Sequence, residues 1–406
     1  MNNGSFWNDP ITVISTLITN WLTGLGLSLG LATFIVYVLG AFILALGAMF
    51  FVVFLIWYER KLIGRFQDRL GPNRVGPWGI IQPFADMVKI FTKEYITPVG
   101  ADKIPYNLAP ILLVASVLMI WAVIPFTNRV WGVNINVGVL YIIAVGAIGS
   151  LAIIMAGWSS NNKYALLGAF RMVAMMISYE VPMVMSLLVP VLLARSMGMN
   201  ELVQAQGIWF LFIVPIPALI FFITSLAEVS RSPFDLLEAE SEIVAGINIE
   251  YSGLKFGIFY VAEFLHAFTV SLLFAVIFMG GWRGPFVDQV PLLGVIYLFI
   301  KAFIISFIGI WIRGSLPRFR IDQMMDLNWK ILTPISLVAL MAIAVAEKLA
   351  QGLPMVWHAL VLLGVNVVIG AAALEVARQV GRRKRAQAAK ETGRTEPYPM
   401  HEHYSL

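Results

Sequence analysis

The densest group of acidic residues in the chain lies between two long apolar segments. Residues 227–253, AEVSRSPFDLLEAESEIVAGINIEYSG, carry six carboxylates and one basic residue, Arg231. Like charges held this close to one another make each other easier to protonate, so the cluster could store protons or attract cations. The alternative is an ordinary solvated acidic loop. The six acids are Glu228, Asp235, Glu238, Glu240, Glu242 and Glu250.

Three further charged side chains lie inside apolar runs: Glu180, Glu263 and Lys301. A mid-membrane charge costs about 2.5–3.5 kcal/mol on translocon scales, so such groups are paired or functional. His266 follows Glu263 by three residues and shares its helical face. Two acids against one lysine favour a proton or ion relay. The alternative is a structural pair between Lys301 and one of the glutamates.

The elements that position these groups are membrane-length apolar runs. Of the 406 residues, 59% are hydrophobic and 13% are charged. A spanning helix needs about 20 apolar residues, so the runs predict an all-α polytopic membrane protein with about nine transmembrane helices. Pro182, Pro215 and Pro217 predict breaks within the spans, and broken helices at membrane depth line cavities. The nine runs cover residues 31–58, 108–127, 136–158, 171–195, 208–227, 256–282, 290–312, 331–348 and 356–376.

The basic residues indicate an orientation. The segments predicted to face the cytoplasm carry 23 of the 28 lysines and arginines. By the positive-inside rule, the N-terminus lies outside and the C-terminus lies in the cytoplasm. Residues 1–376 are predicted to form a single transmembrane domain with cytoplasmic loops at 59–107, 228–255 and 313–330. A basic, disordered cytoplasmic tail near anionic lipid is predicted for 377–406.

The composition also excludes several functions. The chain has no cysteine, which excludes disulfides, iron–sulfur ligation and cysteine catalysis within it. Its four histidines leave little for a metal site. The net charge of +5 comes from scattered residues at the ends of apolar runs, which is not a nucleic-acid-binding pattern. Residues 11–29 carry polar residues on all faces and predict an interfacial helix or a tenth span.

The first predicted cytoplasmic loop combines arginines, tight turns and an amphipathic segment. Gly-Pro pairs at 71–72 and 76–77 predict turns. After Pro83, apolar residues recur at helical spacing over 84–91, which predicts an amphipathic helix lying in the membrane interface. The arginines could anchor to lipid phosphate, dock an acidic partner or contact the polar head group of an amphiphile. They are Arg60, Arg65, Arg69 and Arg74, and residues 313–330 supply a second basic loop.

Four long motifs resemble a known family, the membrane subunit of proton-pumping NADH–quinone oxidoreductase (complex I) that is called the H subunit in bacteria and subunit 1 in mitochondria. The motifs are ERKLIGRFQDRLGPNRVGPWGIIQPFADMVKIFTKE, GWSSNNKYALLGAFRMVAMMISYEVPM, AEVSRSPFDLLEAESEIVAGINIEYSG and LPRFRIDQMMDLNWK. The resemblance extends from about residue 30 to 347. The N-terminal 30 residues, the ninth span and the basic tail exceed the mitochondrial pattern and resemble bacterial members.

The resemblance implies that this chain forms the membrane side of a quinone chamber and anchors a peripheral redox arm. It implies ubiquinone or menaquinone as the substrate at the subunit interface, and no metal, flavin or iron–sulfur cluster in this chain. The implied protein partners are the peripheral iron–sulfur and quinone-site subunits, the antiporter-like subunits and small membrane subunits. The chain is expected to contact lipid in the bacterial inner membrane. No nucleic-acid partner is expected. The quinone-region residues it implies are Arg60, Arg65, Arg69, Asp86, Arg231 and Arg313.

The resemblance also implies that acidic side chains form a polar path from the quinone chamber towards the antiporter-like subunits. No residue of this chain is expected to perform redox chemistry. Two other functions stay open: the membrane subunit of an energy-converting hydrogenase, which uses no quinone, and an autonomous ion transporter. The implied proton-relay residues are Glu180, Glu228, Asp235, Glu238, Glu240, Glu242 and Glu263.

Overall fold

The computed structural model describes residues 10–128, 130–235, 246–287, 289–352 and 354–391. These residues form helices joined by turns, and no strand occurs among them. In chain order, the α-helices are α1 (Pro10–Gly24), α2 (Leu29–Phe66), α3 (Gln82–Thr92), α4 (Lys103–Trp121), α5 (Gly138–Ser159), α6 (Lys163–Ala194), α7 (Met199–Ala205), α8 (Phe210–Ile213), α9 (Pro215–Glu228), α10 (Gly253–Phe278), α11 (Leu292–Ser315), α12 (Ile321–Leu327), α13 (Thr333–Leu349) and α14 (Met355–Glu391).

Eight helical segments in the described part of the chain are long and apolar enough to cross a membrane. They are α2, α4, α5, α6, α10, α11, the pair α12–α13 and α14. A π-helical turn at Asn328–Leu332 joins α12 to α13 and makes Ile321–Leu349 one continuous segment. Each of the eight segments coincides with a predicted run. The structure therefore confirms an all-α polytopic membrane protein.

The remaining predicted run, 208–227, forms a broken helix. The helix stops after α8, and Val214 adopts non-helical dihedrals (φ −128°, ψ 67°) before α9 begins. Two prolines in the first turn of α9 supply no backbone N–H, so the break leaves carbonyl groups without helical partners. The buried Asn366 of α14 donates from Nδ2 to the carbonyl of Ile213 at 3.5 Å. A neighbouring helix thus binds one of the freed carbonyls.

The centre of the bundle is α10. In the most apolar 18-residue stretch of α10, 78% of the residues are buried, whereas in the corresponding stretches of α2 and α14 only 17% are buried. A helix that is apolar on all sides is stable only when it is surrounded by protein or lipid. Since α10 packs against α2, α4 and α11, it can present polar side chains to several neighbours at once.

Successive spans alternate in direction, so the connecting segments collect at two ends of the bundle. We call the end that carries residues 67–102 and 246–252 the loop end. The opposite end carries residues 122–137. At the loop end, the backbone N–H of Phe319 donates to the carbonyl of Pro233 at 2.9 Å. The segments that follow α9 and α11 are therefore joined there.

The amphipathic segment of the first loop is the helix α3. It starts with Pro83 in its first turn, as the sequence predicts, and packs against α2 and α10. Its apolar residues Phe84, Val88 and Phe91 are exposed in this chain. Its position in a membrane interface stays a prediction.

The two terminal helices add detail to the sequence predictions. With 15 residues, α1 is shorter than the roughly 20 that a span requires. At the other terminus, α14 continues to Glu391, so it covers the first part of the segment 377–406 for which the sequence predicts a disordered tail. Residues 392–406 lie outside the described part of the chain.

Candidate functional site

Four charged side chains meet at the loop end of the bundle. Nη1 of Arg231 lies 2.6 Å from Oε1 of Glu59, and Nε of the same guanidinium lies 3.2 Å from Oε1 of Glu263. Arg313 also donates to Glu59. Glu59 belongs to α2, Glu263 to α10 and Arg313 to α11, while Arg231 follows the end of α9. This charged cluster therefore joins four parts of the fold.

The charged cluster is largely removed from solvent. Glu59 is 7% exposed and Arg231 is 6% exposed. The guanidinium of Arg231 also lies over the ring of Phe264, 4.5 Å from its centroid. Buried charges persist where they are paired, and removing one partner of a buried pair costs about 3–5 kcal/mol. The cluster therefore holds the four segments together as well as placing charge in the protein interior.

A tight turn after α9 positions Arg231. Ser230 has a positive φ of 55°, and its N–H donates to the carbonyl of Ala227 at 3.0 Å. The N–H of Arg231 donates to the carbonyl of Leu226 at 3.3 Å. These bonds close the end of α9 and reverse the chain. The side chain of Arg231 consequently enters the bundle instead of continuing along the axis of α9.

A cavity of about 670 Å³, open solvent included, adjoins the charged cluster. It lies between α2, α9, α10 and α11, and most of its lining residues are apolar. A mostly apolar cavity with a few placed polar groups is typical of a site for a small amphiphilic ligand. Its polar lining consists of Tyr58, Glu59, Ser225, Arg231, Ser271, Ser306 and Arg313.

Two further cavities adjoin one another deeper in the bundle. The first, of about 710 Å³, is lined by Glu263, Glu228 and His266. The second, of about 600 Å³, is lined by Glu180, Glu228 and His266. We call them the Glu263 cavity and the Glu180 cavity. Three predicted relay acids from α6, α9 and α10 thus line two neighbouring cavities whose other lining residues are mostly apolar.

Of the other predicted relay acids, the described part of the chain contains Asp235 alone, and it lines none of the three cavities. Asp235 is buried, and its Oδ2 lies 2.7 Å from Nη2 of Arg318. Glu238, Glu240 and Glu242 lie outside the described residues. Nowhere in the described part of the chain do three or more His, Asp or Glu side chains form a group that could hold a metal ion.

Asp86 and Arg60 connect α3 to α2. Nη1 of Arg60 lies 2.5 Å from Oδ2 of Asp86, and Lys89 approaches the same carboxylate at 3.5 Å. Burial alone would raise the pKa of Asp86. The hydrogen bond and charge of Arg60, with those of Lys89, outweigh burial, so the pKa of Asp86 lies below its ordinary value. The amphipathic helix is therefore attached to α2 by an ionised carboxylate.

The remaining predicted quinone-region residues divide into two groups. Arg65 and Arg69 are exposed at the end of α2, where Nε of Arg69 donates to Gln67 at 2.9 Å. Arg231 and Arg313 belong to the charged cluster. The structure therefore brings the latter two together and leaves the former two free to contact other molecules.

Lys301 does not pair with either glutamate of the spans. Its ammonium donates to the carbonyls of Gly281 at 2.8 Å and Arg283 at 2.9 Å, and it lies 5.0 Å from the ring centroid of Trp209. These residues are at the opposite end of the bundle. The alternative of a structural lysine–glutamate pair is therefore wrong.

The sequence reasoning missed Glu59, which it assigned to the first loop. In the structure, α2 continues to Phe66, so Glu59 lies within a helix. Val52, Leu55 and Glu59 are buried on one face at spacings of three and four residues. Extending the helical periodicity of the first span beyond its apolar run would have identified this acid. No comparable signal in the sequence indicates Arg318, which lies in a loop.

Comparisons with known proteins agree with this architecture. A family model described as NADH dehydrogenase matches residues 39–344, a range that contains the charged cluster and the three cavities. The H subunit of NADH-quinone oxidoreductase from Dehalococcoides mccartyi (strain CBDB1) is 46% identical over 319 residues, covering 78% of this chain and 88% of the relative. The protein of the same name from Bacteroides thetaiotaomicron is 45% identical over 348 residues, covering 81% and 96%. The one from Vesicomyosocius okutanii is 39% identical over 355 residues, covering 84% and 98%. The chain belongs to the family of NADH-quinone oxidoreductase H subunits.

Proposed function

We propose that this chain forms the membrane side of a quinone chamber in an NADH–quinone oxidoreductase. In this proposal it also anchors the peripheral redox arm and couples quinone reduction to proton translocation. The chemistry of the quinone is supplied by redox centres on other subunits. This chain contributes a binding surface and a series of ionisable groups.

The observation that carries the proposal is the series of charged groups that begins at Glu59 and ends at Glu180. The charged cluster borders the first cavity, and Arg231 of that cluster binds Glu263. Glu263 lines a cavity that it shares with Glu228, and Glu228 lines a second one with Glu180. A change of charge beside the first cavity can therefore alter the protonation of one neighbouring group after another, as far as Glu180 in the bundle interior.

The polarity of the first cavity suits a quinone. A quinone has a polar head and a long apolar tail, and the cavity has a polar border beside a largely apolar lining. Arg231 and Arg313 can donate hydrogen bonds to the carbonyl oxygens of a head group, and their positive charges favour the extra negative charge of a reduced quinone. This holds for ubiquinone and menaquinone alike.

Anchoring of the peripheral arm would use the loop end. The exposed Arg65 and Arg69 supply positive charge there, and the turn that precedes α3 exposes Trp78. Residues 1–376 would form the membrane domain, and the segment from 377 a basic extension. Purification of the complex from native membranes is expected to yield iron–sulfur and flavin subunits with this chain. A nickel–iron subunit in their place would favour the hydrogenase.

The decisive experiment is Glu180→Gln. Glutamine keeps the volume and hydrogen-bonding ability of glutamate but cannot carry the proton. We expect the complex to assemble in normal amounts on native gels, because no packing is lost. Proton pumping into membrane vesicles is expected to fall to the detection limit, together with much of the quinone reductase activity.

A matched control is Glu94→Gln, which changes an exposed glutamate at the loop end outside the cavities. It is expected to assemble and pump normally. If Glu180→Gln also pumps normally at normal complex content, Glu180 is not part of a relay and the coupling role fails. Low content of the Glu180 variant would return Glu180 to a structural role.

A further inference from the structure

His266 lies at the junction of the two deeper cavities. It is a residue of α10, and its Nε2 is 3.9 Å from Oε1 of Glu228 on α9. Both side chains are 19% exposed. Together they line the Glu263 cavity and also the Glu180 cavity.

The acids on the two sides of this junction are separated from each other. Glu263 lines the first of these two cavities but not the second, whereas Glu180 lines the second but not the first. Glu263 is also bound by Arg231 of the charged cluster. Of the five residues that line both cavities, only Glu228 and His266 can carry a proton, so a side-chain relay between the two cavities uses one or both of them.

The groups that face His266 are acidic on two neighbouring helices. Glu228 approaches from α9, and Glu180 lies across the shared cavity on α6. On α10 itself, Glu263 precedes His266 by one turn, with Arg231 beyond it. From α5, the cavity lining contributes the uncharged Gly146 and Ser150, among apolar residues.

An imidazole differs from a carboxylate in having two nitrogen atoms on opposite sides of a ring. One nitrogen can accept a proton while the other releases one, so the ring transfers a proton across its own width without leaving its place. This property is useful where two acids on different helices, such as Glu228 and Glu180, face the same imidazole from one cavity.

We propose that His266 is a proton carrier that, together with Glu228, links the Glu263 cavity to the Glu180 cavity. This inference rests on the proposed coupling function. Glu228, protonated from the side of the Glu263 cavity, gives its proton to the free nitrogen of His266, which becomes an imidazolium. The imidazolium then releases its other N–H proton to the carboxylate of Glu180. One proton has moved, Glu228 is ionised, and the neutral ring is left as the other tautomer. A flip of the ring is then needed before the next proton can move in the same direction, because the nitrogen that faces Glu228 is now protonated.

The test compares His266→Gln with Glu180→Gln in the intact complex. Glutamine approximates the size of histidine but carries no proton. We expect normal complex content, normal electron transfer from NADH to a soluble acceptor, and pumping at the detection limit. Positioned proton transfer contributes on the order of 10²-fold or more to a rate, so its loss should be plain. His358→Gln applies the same change to a histidine at the opposite end of the bundle, and it is expected to pump normally.

A second variant separates proton transfer from structure. In His266→Ala, added imidazole can occupy the vacated space and is expected to restore pumping in a dose-dependent way. Pumping is followed with a potential-sensitive dye, because imidazole as a weak base dissipates a pH gradient. The same imidazole is expected to leave Glu180→Gln inactive.

The outcomes distinguish a failure of the role proposed for His266 from a failure of the proposed coupling function. Normal pumping by His266→Gln, with none by Glu180→Gln, overturns the role of His266 and leaves the proposed coupling function intact. Normal pumping by both overturns both. Failure of both His266 variants to assemble, or pumping by His266→Ala without imidazole, assigns the histidine a structural role and overturns the inference.

Discussion

Arg231 is the residue that connects the first cavity to the deeper acids. One guanidinium contacts Glu59 through Nη1 and Glu263 through Nε. Glu59 is also bound by Arg313, so its negative charge is shared between two cations. A change in the protonation or position of one member of this cluster alters the electrostatic environment of the others, because each is in contact with at least one other member and the contacts form a chain.

We predict that Arg231→Gln lowers the stability of the protein by about 3–5 kcal/mol, since it removes the cation from buried carboxylates. Complex content on native gels and the thermal unfolding of the purified complex measure the effect. Adding Glu263→Gln removes one of the charges that Arg231 binds, so the double variant is expected to regain part of the loss.

Arg74→Gln is the matched control, because Arg74 is exposed in the first loop. Its effect is expected to stay within about 0.5 kcal/mol. A double variant no more stable than Arg231→Gln alone would show that the arginine stabilises the fold through Glu59 or through packing, for instance on Phe264, and not through Glu263.

For single residues, the sequence identifies candidate functional residues better than it identifies their contact partners. Glu180 and Glu263 stand out because each lies in an apolar run, where an isolated charge is costly. Their neighbours depend on contacts across long sequence separations, such as that between Arg231 and Glu59, 172 residues apart. No local pattern specifies such a pair. Lys301 shows the same limit, since it binds backbone carbonyls that the sequence does not distinguish.

Among the elements, the turn before α3 is held in place by hydrogen bonds from α2 and by a glycine at a close backbone contact. The ammonium of Lys61 donates to the carbonyl of Pro72 at 2.9 Å, and the indole of Trp57 donates to the carbonyl of Trp78 at 3.1 Å. Gly79 has a positive φ of 76°, and a Cβ at this position would lie 2.4 Å from the backbone of Pro72. The turn is therefore fixed against the end of α2.

We predict that Gly79→Ala disrupts this turn. A left-handed residue with a side chain costs about 1–2 kcal/mol, and the overlap with a fixed backbone adds to that cost. Quinone reductase activity is expected to fall, while electron transfer from NADH to a soluble acceptor in the assembled fraction stays normal. Gly30→Ala, where a Cβ meets nothing within 4 Å, serves as the control. Equal activity in both variants would refute a role for the turn at the quinone site.

The attachment of α3 to α2 is expected to depend on pH through Asp86. Its pKa is lower in the folded protein than in the unfolded chain. The stabilisation that this carboxylate contributes is therefore complete above its ordinary pKa, and it is lost as the pH falls through the folded pKa. Hydrogen-exchange protection of residues 82–92, corrected for intrinsic rates, is expected to decrease below about pH 4.

Arg60→Gln tests the cause of this dependence. Without Arg60, the cost of burying the Asp86 carboxylate is no longer offset by its hydrogen bond and ion pair with Arg60. The hydrogen-exchange protection of α3 is therefore expected to be lower already at pH 7. Protection equal to that of the wild type at pH 7 would mean that apolar contacts, and not the Arg60–Asp86 pair, hold α3 in place.

Element boundaries follow from the sequence where a physical signal exists. The prolines indicate the break in the fifth run, and Pro83 indicates the start of α3. The ends of α2 and α14 are harder to predict, because both helices continue beyond their apolar runs into charged sequence. Charged residues such as Glu, Lys and Arg form helices well, so apolarity marks the span and not the helix.

For the whole molecule, the bundle has a loop end and an opposite end, and the charge bias predicts that the loop end is cytoplasmic. The absence of cysteine allows a single introduced cysteine to report on each end. Val99 at the loop end is fully exposed, and Val133 at the opposite end is 53% exposed. We predict that an impermeant thiol reagent labels Val133→Cys in intact cells, and Val99→Cys only after permeabilisation. The reverse pattern would invert the proposed topology.

Glu180 lies about half-way along α6, which runs from Lys163 at the loop end to Ala194 at the opposite end. In the proposed relay, a proton that reaches Glu180 from the charged cluster would cross part of the electric field of an energised membrane. Crossing the whole field changes the energy of a unit charge by about 2.3 kcal/mol per 100 mV, so half of it corresponds to roughly 1 kcal/mol. If the proposed relay holds, the fraction of Glu180 that carries a proton depends on the transmembrane voltage as well as on the proton concentration, and an energised membrane opposes pumping directly at this residue.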